Sequence, residues 1–278
     1  MKASLVRRLV KFLCLLALFG SGLVACQRKN EAVAAPSPAT TPAQGPLSTA
    51  TPVTTPAAPT STAAAPTSIS PALVSQQPES FTHYLHYPRD PEASKMDDAV
   101  QFFCEVTETG EVESTHALVG KNSAFRDAVQ NALDWGRFTP AMLNGKAARA
   151  YLGGTVLFLH QNGEPVIVVS LATFDRDRVG KLENYIQPQL IGGLRHLLEK
   201  VIGNLTKGVL VAGRAEVIVN VDEKGTITGT SGVSETPKGS GLGDLLNGAV
   251  KQGQFTPAYD NGKPIAGGVN IVADFTQF

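Results

Sequence analysis

The chain has 278 residues, and 24 basic against 24 acidic side chains give a formal net charge of +0 at pH 7. This length suits one or two domains. A neutral chain lacks the basic face typical of nucleic-acid-binding proteins, so we expect no nucleic-acid partner. The cysteines are Cys14, Cys26 and Cys104. They show no Cys-x-x-Cys spacing, which gives no support to a zinc site or to dithiol redox chemistry.

Residues 1–25 have the features of an export signal. Basic residues precede an apolar run from Phe12 to Ala25, and its length of about 14 residues is short of the roughly 20 that span a bilayer as a helix. The run ends in Leu-Val-Ala-Cys, which resembles a bacterial lipobox. The resemblance implies cleavage before Cys26 and a lipid on that residue, which anchors the chain in a membrane. The alternative is a plain signal peptide or an uncleaved anchor, with Cys26 incidental.

Residues 26–80 form a predicted disordered linker. Pro, Ala, Thr and Ser dominate it, and charge is almost absent after Glu31. Such a composition cannot bury enough apolar surface to fold. Prolines favour extended geometry, in which some 50 residues reach roughly 150 Å. The linker either sets the reach of a globular part from the membrane or is a simple spacer.

One short string occurs twice in the rest of the chain. Phe-Thr-Pro-Ala, two variable residues and Asn-Gly-Lys begin at Phe138 and again at Phe255. Proline disfavours helix at the residue before it, so a helix must end near each phenylalanine. Asn-Gly suits the positive φ angles of a type I′ turn. We therefore predict two copies of one α+β unit, at 81–174 and 175–278.

Alternation and helical spacing predict the elements of the first copy. After a short helix near 94–100, Phe102 to Val106 alternate as a strand with one buried face, and Cys104 is interpreted as a core residue on that face. The further predicted elements are a turn ending at Gly110, a strand to Leu118, a helix with the apolar residues Phe125, Ala128, Val129, Ala132 and Leu133, a long strand to His160, and a strand over Pro165–Leu171.

The second copy is predicted to follow the same order. A charged connector, 175–183, leads to a long helix that opens at Tyr185. After that helix the order of the first copy returns, with Gly225 as the counterpart of Gly110. The apolar residues of its later helix are Leu242, Leu245, Leu246, Ala249 and Val250. Gly268–Phe275 forms the closing strand.

This order of signal, Pro-rich linker and paired α+β units resembles the C-terminal domain of TonB, the energy transducer of outer-membrane uptake. The residues that carry the resemblance are Tyr87, Pro88, Gly110, Trp135, Arg137, Phe138, Pro140, Gly145 and Lys146, and in the second copy Gly225, Phe255, Pro257, Gly262, Lys263 and Pro264. The resemblance implies a three-stranded antiparallel sheet with helices on one face. It also implies no enzymatic activity and no cofactor, and binding of a partner peptide by strand addition at a sheet edge.

Within this resemblance the closing strand of the second copy is the expected partner-binding edge. Its residues are Val269, Asn270, Ile271, Val272, Ala273 and Asp274. In the first copy the 165–171 strand is expected to cover the corresponding edge. The expected partners are envelope or outer-membrane proteins. Gln27 follows the lipobox cysteine, and the absence of Asp there favours an outer-membrane lipoprotein that faces the periplasm.

Two other functions are compatible with the same features. One is a motor-coupled transducer, which requires an intact N-terminal segment, although that segment lacks the histidine of TonB itself. The other is a purely structural envelope protein in which the two copies pair with each other.

No motif indicates catalysis or a metal. His83 and His86 lie three residues apart, but no Cys, Asp or Glu accompanies them at ligand spacing before Asp90. The Gly-rich run 238–243 opens a helix but lacks the Lys-Ser/Thr of a P-loop, so we interpret it as a flexible start of that helix.

Overall fold

The computed structural model describes most of the chain from residue 68 onward. The described residues are 68–173, 184–203 and 212–277. They belong to one compact unit that runs from Pro66 to Phe278. The predicted signal, Cys26 and the 175–183 connector lie outside the described residues.

The same order of elements occurs twice. The first copy contains β1 (Ile69–Ser70), β2 (Leu73–Val74), α1 (Phe81–Tyr84), β3 (Asp98–Val106), β4 (Val112–Val119), α2 (Ser123–Trp135), β5 (Phe138–Thr139), β6 (Ala141–Leu143), β7 (Lys146–Ala148), β8 (Ala150–Gln161) and β9 (Glu164–Ser170). The second copy contains β10 (Tyr185–Ile186), β11 (Leu190–Ile191), α3 (Leu194–Gly203), β12 (Arg214–Val221), β13 (Ile227–Thr236), α4 (Leu242–Val250), β14 (Gln254–Phe255), β15 (Ala258–Asp260), β16 (Lys263–Ile265) and β17 (Gly267–Asp274). The chain is therefore α+β, and β1 to β8 have their counterparts in β10 to β17.

Strand register agrees between the copies. In the first copy β3 lies between β4 and β8, and in the second β12 lies between β13 and β17. Val106 is opposite Ala150, and its counterpart Val221 is opposite Gly267. All these pairs are antiparallel, and a short hairpin joins β3 to β4 and β12 to β13.

The repeated phenylalanines hold equivalent places. A Cβ added to Gly110 would lie 2.0 Å from the carbonyl oxygen of Phe138, and one added to Gly225 would lie 2.2 Å from that of Phe255. Both glycines have positive φ, which disfavours any other residue. Each hairpin turn therefore packs against the backbone at the foot of the following helix, and Phe138 and Phe255 hold equivalent places, as the repeated string predicts.

Two predicted boundaries in the first copy are wrong. Residues 68–80 are not linker, because β1 pairs with β6, β2 pairs with β5, and Ala72 is fully buried between them. The helix near 94–100 is only a 3₁₀ turn at Ala93–Lys95, after which β3 begins. Its first turn is held by the Asp90 carboxylate, which accepts the amide of Ala93.

The long helix predicted from Tyr185 is also wrong. Residues 185–191 form β10 and β11, and the helix begins only at Leu194. Gly192 and Gly193 both have positive φ, so the chain turns between β11 and the helix. The apolar residues assigned to the start of the helix therefore belong to a strand.

In the first copy, β3 and the beginning of β8 are buried on both faces. On one face, Phe102 and Cys104 pack against the apolar stripe of α2, as predicted. On the other face, Phe103 and Tyr151 join the core of the second copy. The expectation of one buried face is thus wrong for β3, because the second copy covers the face that a single unit would expose to water.

Candidate partner-binding edge

β17 is the outer strand of the three-stranded sheet in the second copy. The order is β13, β12, β17, and among the described residues no strand pairs with the far side of β17. Its side chains at Val269, Ile271, Val272 and Ala273 are buried, whereas Asn270 is half-buried and Gly268 is exposed. The accessible part of the strand is therefore its beginning.

The hydrogen bonds of Val272 fix the direction of the amides along β17. The Val272 N–H donates to the Tyr151 hydroxyl at 2.7 Å, and that hydroxyl donates to the Val272 carbonyl oxygen at 2.9 Å. Both groups of Val272 therefore point away from β12. Because alternate residues of a strand direct their amides to the same edge, Asn270 and Gly268 also point outward.

The predicted edge over Val269–Asp274 is only partly open, and this corrects the expectation. At Val272 the Tyr151 hydroxyl already occupies both main-chain groups. Beyond it, the Asp274 carboxylate accepts the amide of Thr276, and a 3₁₀ turn ends the strand. The side chain of Gln277 then donates to the Thr115 carbonyl oxygen of β4. The open outward positions are Gly268 and Asn270.

In the first copy the equivalent edge is occupied by strands. β9 pairs with β8 from Thr155 to Gln161, so the predicted cover by the 165–171 strand is present from Thr155 onward and does not reach Leu152–Gly154. β11 pairs with the start of β8, where Leu190 is opposite Tyr151. By register, Tyr151 corresponds to Gly268 of β17. Gly268 has no strand partner in the second copy, whereas its counterpart Tyr151 in the first copy pairs with β11.

A buried carboxylate joins the two copies. Glu105 is 1% exposed, and its Oε1 lies 2.6 Å from the amide N–H of Arg195, which donates to it. Glu105 thereby satisfies one of the free amides at the start of α3 and places its negative charge at the positive end of that helix. Nε2 of His116 lies 3.1 Å from the same oxygen.

A second polar contact joins the copies at their N-terminal strands. Oε1 of Gln189 accepts the Ala72 amide at 2.7 Å, and Nε2 of Gln189 donates to the Ala72 carbonyl oxygen at 2.8 Å. The side-chain amide thus pairs with the backbone as a neighbouring strand does. Sequence reasoning missed Tyr151, Glu105 and Gln189, since none of them belongs to a motif and their partners lie far away in the sequence.

The Gly-rich run before α4 is fixed by a carboxylate of the chain itself. Glu235 accepts the amides of Gly239 at 2.7 Å and Gly243 at 2.8 Å, and the hydroxyl of Ser240 at 3.1 Å. These hydrogen bonds lower the pKa of Glu235, and the bond from the Gly243 amide contributes most. The run that the sequence predicts to be a flexible helix start is thus hydrogen-bonded to a side chain of β13.

The described residues were also compared with the features of a metal site, a reactive thiol and a membrane-spanning helix. Among residues 68–173, 184–203 and 212–277, no three His, Cys, Asp or Glu side chains are grouped to hold a metal ion. Cys104 is fully buried, and burial raises the pKa of its thiol. No helix in the same ranges is both long and apolar enough to cross a membrane.

Comparison with known proteins leaves the family open. The chain matches no protein-family model, no curated protein and no solved structure.

Proposed function

We propose that the chain is a non-enzymatic lipoprotein of the bacterial cell envelope whose two TonB-like copies bind protein partners by strand addition. Lipid on Cys26 anchors it in the outer membrane, and the Pro-rich segment extends the folded part into the periplasm. A link to outer-membrane transport follows from the same resemblance. The proposal is supported by one observation above all: β17 leaves open the edge position at which β8 accepts β11.

The size of the open edge sets the strength of binding. Gly268 and Asn270 offer two N–H donors and two carbonyl acceptors. At about 0.5–1.5 kcal/mol per net hydrogen bond, they contribute roughly 2–6 kcal/mol. Association costs at least about 4 kcal/mol. Main-chain pairing alone is therefore weak, and we expect a transient partner that also contacts side chains beside the strand.

Asn270→Pro tests the edge without breaking the sheet, because it removes only an outward N–H. Ile271→Pro is unsuitable, since the amide of Ile271 points toward Val217 of β12. Asn270→Ala is the matched control, which keeps the N–H. A photo-crosslinking residue at the exposed Asn220, next to Gly268, reports the partner in living cells.

We expect one envelope protein to be captured in the parent and in Asn270→Ala, and to be lost in Asn270→Pro. Capture that survives the proline removes the strand-addition account. Mass spectrometry of the mature N-terminus tests the anchor separately. A lipidated Cys26 is expected, whereas an intact Met1 contradicts the lipoprotein assignment and favours the motor-coupled transducer.

A structural role is the second candidate, and the joint between the copies favours it. Tyr151 and Glu105 bind backbone groups of the other copy, so the two copies are partners of each other. In that case the photo-crosslinker at Asn220 captures no protein in any variant.

A further inference from the structure

A groove lies where the two copies meet, between the start of α3 and the β6–β7 hairpin. Its volume is about 590 Å³, which is within the range of small-ligand sites. One part of its lining is apolar and consists of Leu143, Ala147, Ala148 and Ile191. The groove can therefore hold an aliphatic chain as well as a polar group.

The charged lining of the groove is mostly acidic. It consists of four carboxylates and two guanidinium groups, those of Glu105, Glu108, Glu113, Glu199, Arg149 and Arg195. With all six ionised and His196 neutral, the lining carries a net charge of −2. Arg149 bridges Glu108 and Glu113. Arg195 pairs with Glu199 at 3.0 Å. Three of the four carboxylates thus have a guanidinium partner in the chain itself.

The fourth carboxylate, Glu105, is buried with one oxygen unpartnered. Its Oε1 accepts the amide of Arg195 and lies 3.1 Å from Nε2 of His116, whereas no donor of the described residues reaches Oε2. A Cβ added to Gly193 would lie 2.8 Å from Oε2, so the missing side chain leaves this oxygen uncovered. A buried carboxylate oxygen without a hydrogen bond is costly, and Oε2 therefore calls for a donor that enters by the groove.

We propose that this groove binds a primary alkylammonium group, the group that a lysine side chain carries, with its nitrogen donating to Oε2 of Glu105. The positive charge complements the acidic lining, and the methylene stem packs against Leu143 and Ile191.

The state of the Glu105 carboxylate favours an ammonium over a guanidinium group. A guanidinium donates two parallel bonds and suits a carboxylate with both oxygens available. Oε1 already accepts the Arg195 amide, so a compact ammonium fits the single oxygen that is left. Among residues 68–173, 184–203 and 212–277, no three His, Cys, Asp or Glu side chains are grouped to hold a metal ion, which favours an organic cation.

Binding of short capped peptides to the full chain at pH 7 tests the site. The probe is an acetylated and amidated Ala-Lys-Ala peptide, and its control has norleucine in place of lysine, which keeps the aliphatic stem without the ammonium. The NMR shift of the Arg195 amide reports binding, because this amide donates to the same carboxylate. We expect the shift to saturate with the lysine peptide and to stay unchanged with the norleucine peptide.

n-Pentylamine identifies the source of the ammonium group. Saturation at a lower concentration than the lysine peptide supports a free amine as the natural ligand. Saturation at a higher concentration supports a lysine of a partner chain, whose backbone adds contacts. Either result supports the alkylammonium site.

Two kinds of variant locate the binding. Glu105→Gln keeps an acceptor for the Arg195 amide but removes the charge, and it is expected to weaken binding of the lysine peptide at least about tenfold, or about 1.4 kcal/mol. Ala147 is exposed on the lining, so Ala147→Lys places a competing ammonium in the groove without disturbing the core, and it is expected to weaken binding at least about threefold. Ala147→Gln is its matched control and is expected to bind as the parent does.

Three results overturn the proposal. These are no saturation with the lysine peptide, equal binding of the norleucine peptide, and equal affinity in the parent and Ala147→Lys. Circular dichroism checks the fold of Glu105→Gln, and the Ala147 pair decides the question if that variant does not fold.

This groove is separate from β17, which contributes no residue to its lining. Loss of peptide binding at Glu105 leaves the Asn270→Pro test unaffected, and failure of that test leaves the groove unaffected.

Discussion

Replacing Tyr151 by Phe removes one hydroxyl from the joint between the copies. The ring stays, so no large cavity forms. The Val272 N–H and carbonyl oxygen both lose their partner in a site that is fully buried. Each of the two orphaned groups costs about 1–3 kcal/mol, so we expect a loss of about 2–6 kcal/mol in the free energy of unfolding. For a unit of this size that lowers Tm by at least about 4 °C.

Denaturant unfolding of the full chain measures this loss, and Tyr259→Phe is the matched control. The Tyr259 hydroxyl donates to the Ile69 carbonyl oxygen at 3.3 Å on a half-buried surface, so its removal is expected to cost less than about 1 kcal/mol. Equal losses for Tyr151→Phe and Tyr259→Phe refute the argument that Tyr151 holds β17 in place.

Two further predictions concern the repeat and its loop. Gly110→Ala and Gly225→Ala should each lower the free energy of unfolding by about 2–4 kcal/mol, because both positions have positive φ and the added Cβ meets backbone atoms. Gly145→Ala is the control: its φ is also positive but its Cβ meets open space, so it should cost about 1–2 kcal/mol. A clear difference between the losses for Gly110→Ala and Gly225→Ala contradicts the equivalence of the two turns. The Glu235 carboxylate has a lowered pKa, so its bonds stabilise the loop above pH 4.5 and are lost as the pH falls through that lowered pKa. The NMR shift of the Gly243 amide should titrate below pH 4.5, and should no longer do so in Glu235→Gln; an unchanged titration in that variant contradicts the assignment.

The repeat was predictable because local chemistry sets it. Proline after Phe138 and Phe255 ends the preceding helices, and Asn-Gly fixes the turns, whatever the tertiary surroundings. Positive φ at Asn144 and Asn261 confirms those turns. The stripe of α2 is likewise a local signal, since its spacing admits only one buried face.

Several of the wrong predictions concern residues where the two copies meet. Leu190 and Ile191 fit the spacing of a helix, but a strand of the first copy pairs with them, and local periodicity does not separate the two for so short a run. Glu105 alternates with apolar residues as an exposed side chain does, yet the second copy buries it and supplies the amide that satisfies it. Tyr151 gives no sequence signal, because its partner is a main-chain group 121 residues away.

Amide hydrogen exchange along β17, measured by NMR on the full chain, tests the open edge most directly. The Gly268 and Asn270 amides should exchange at least about a hundredfold faster than those of Ile271 and Val272, whose hydrogen bonds are buried. Protection of Gly268 and Asn270 equal to that of Ile271 means that the edge is already occupied, and the partner-binding account then fails.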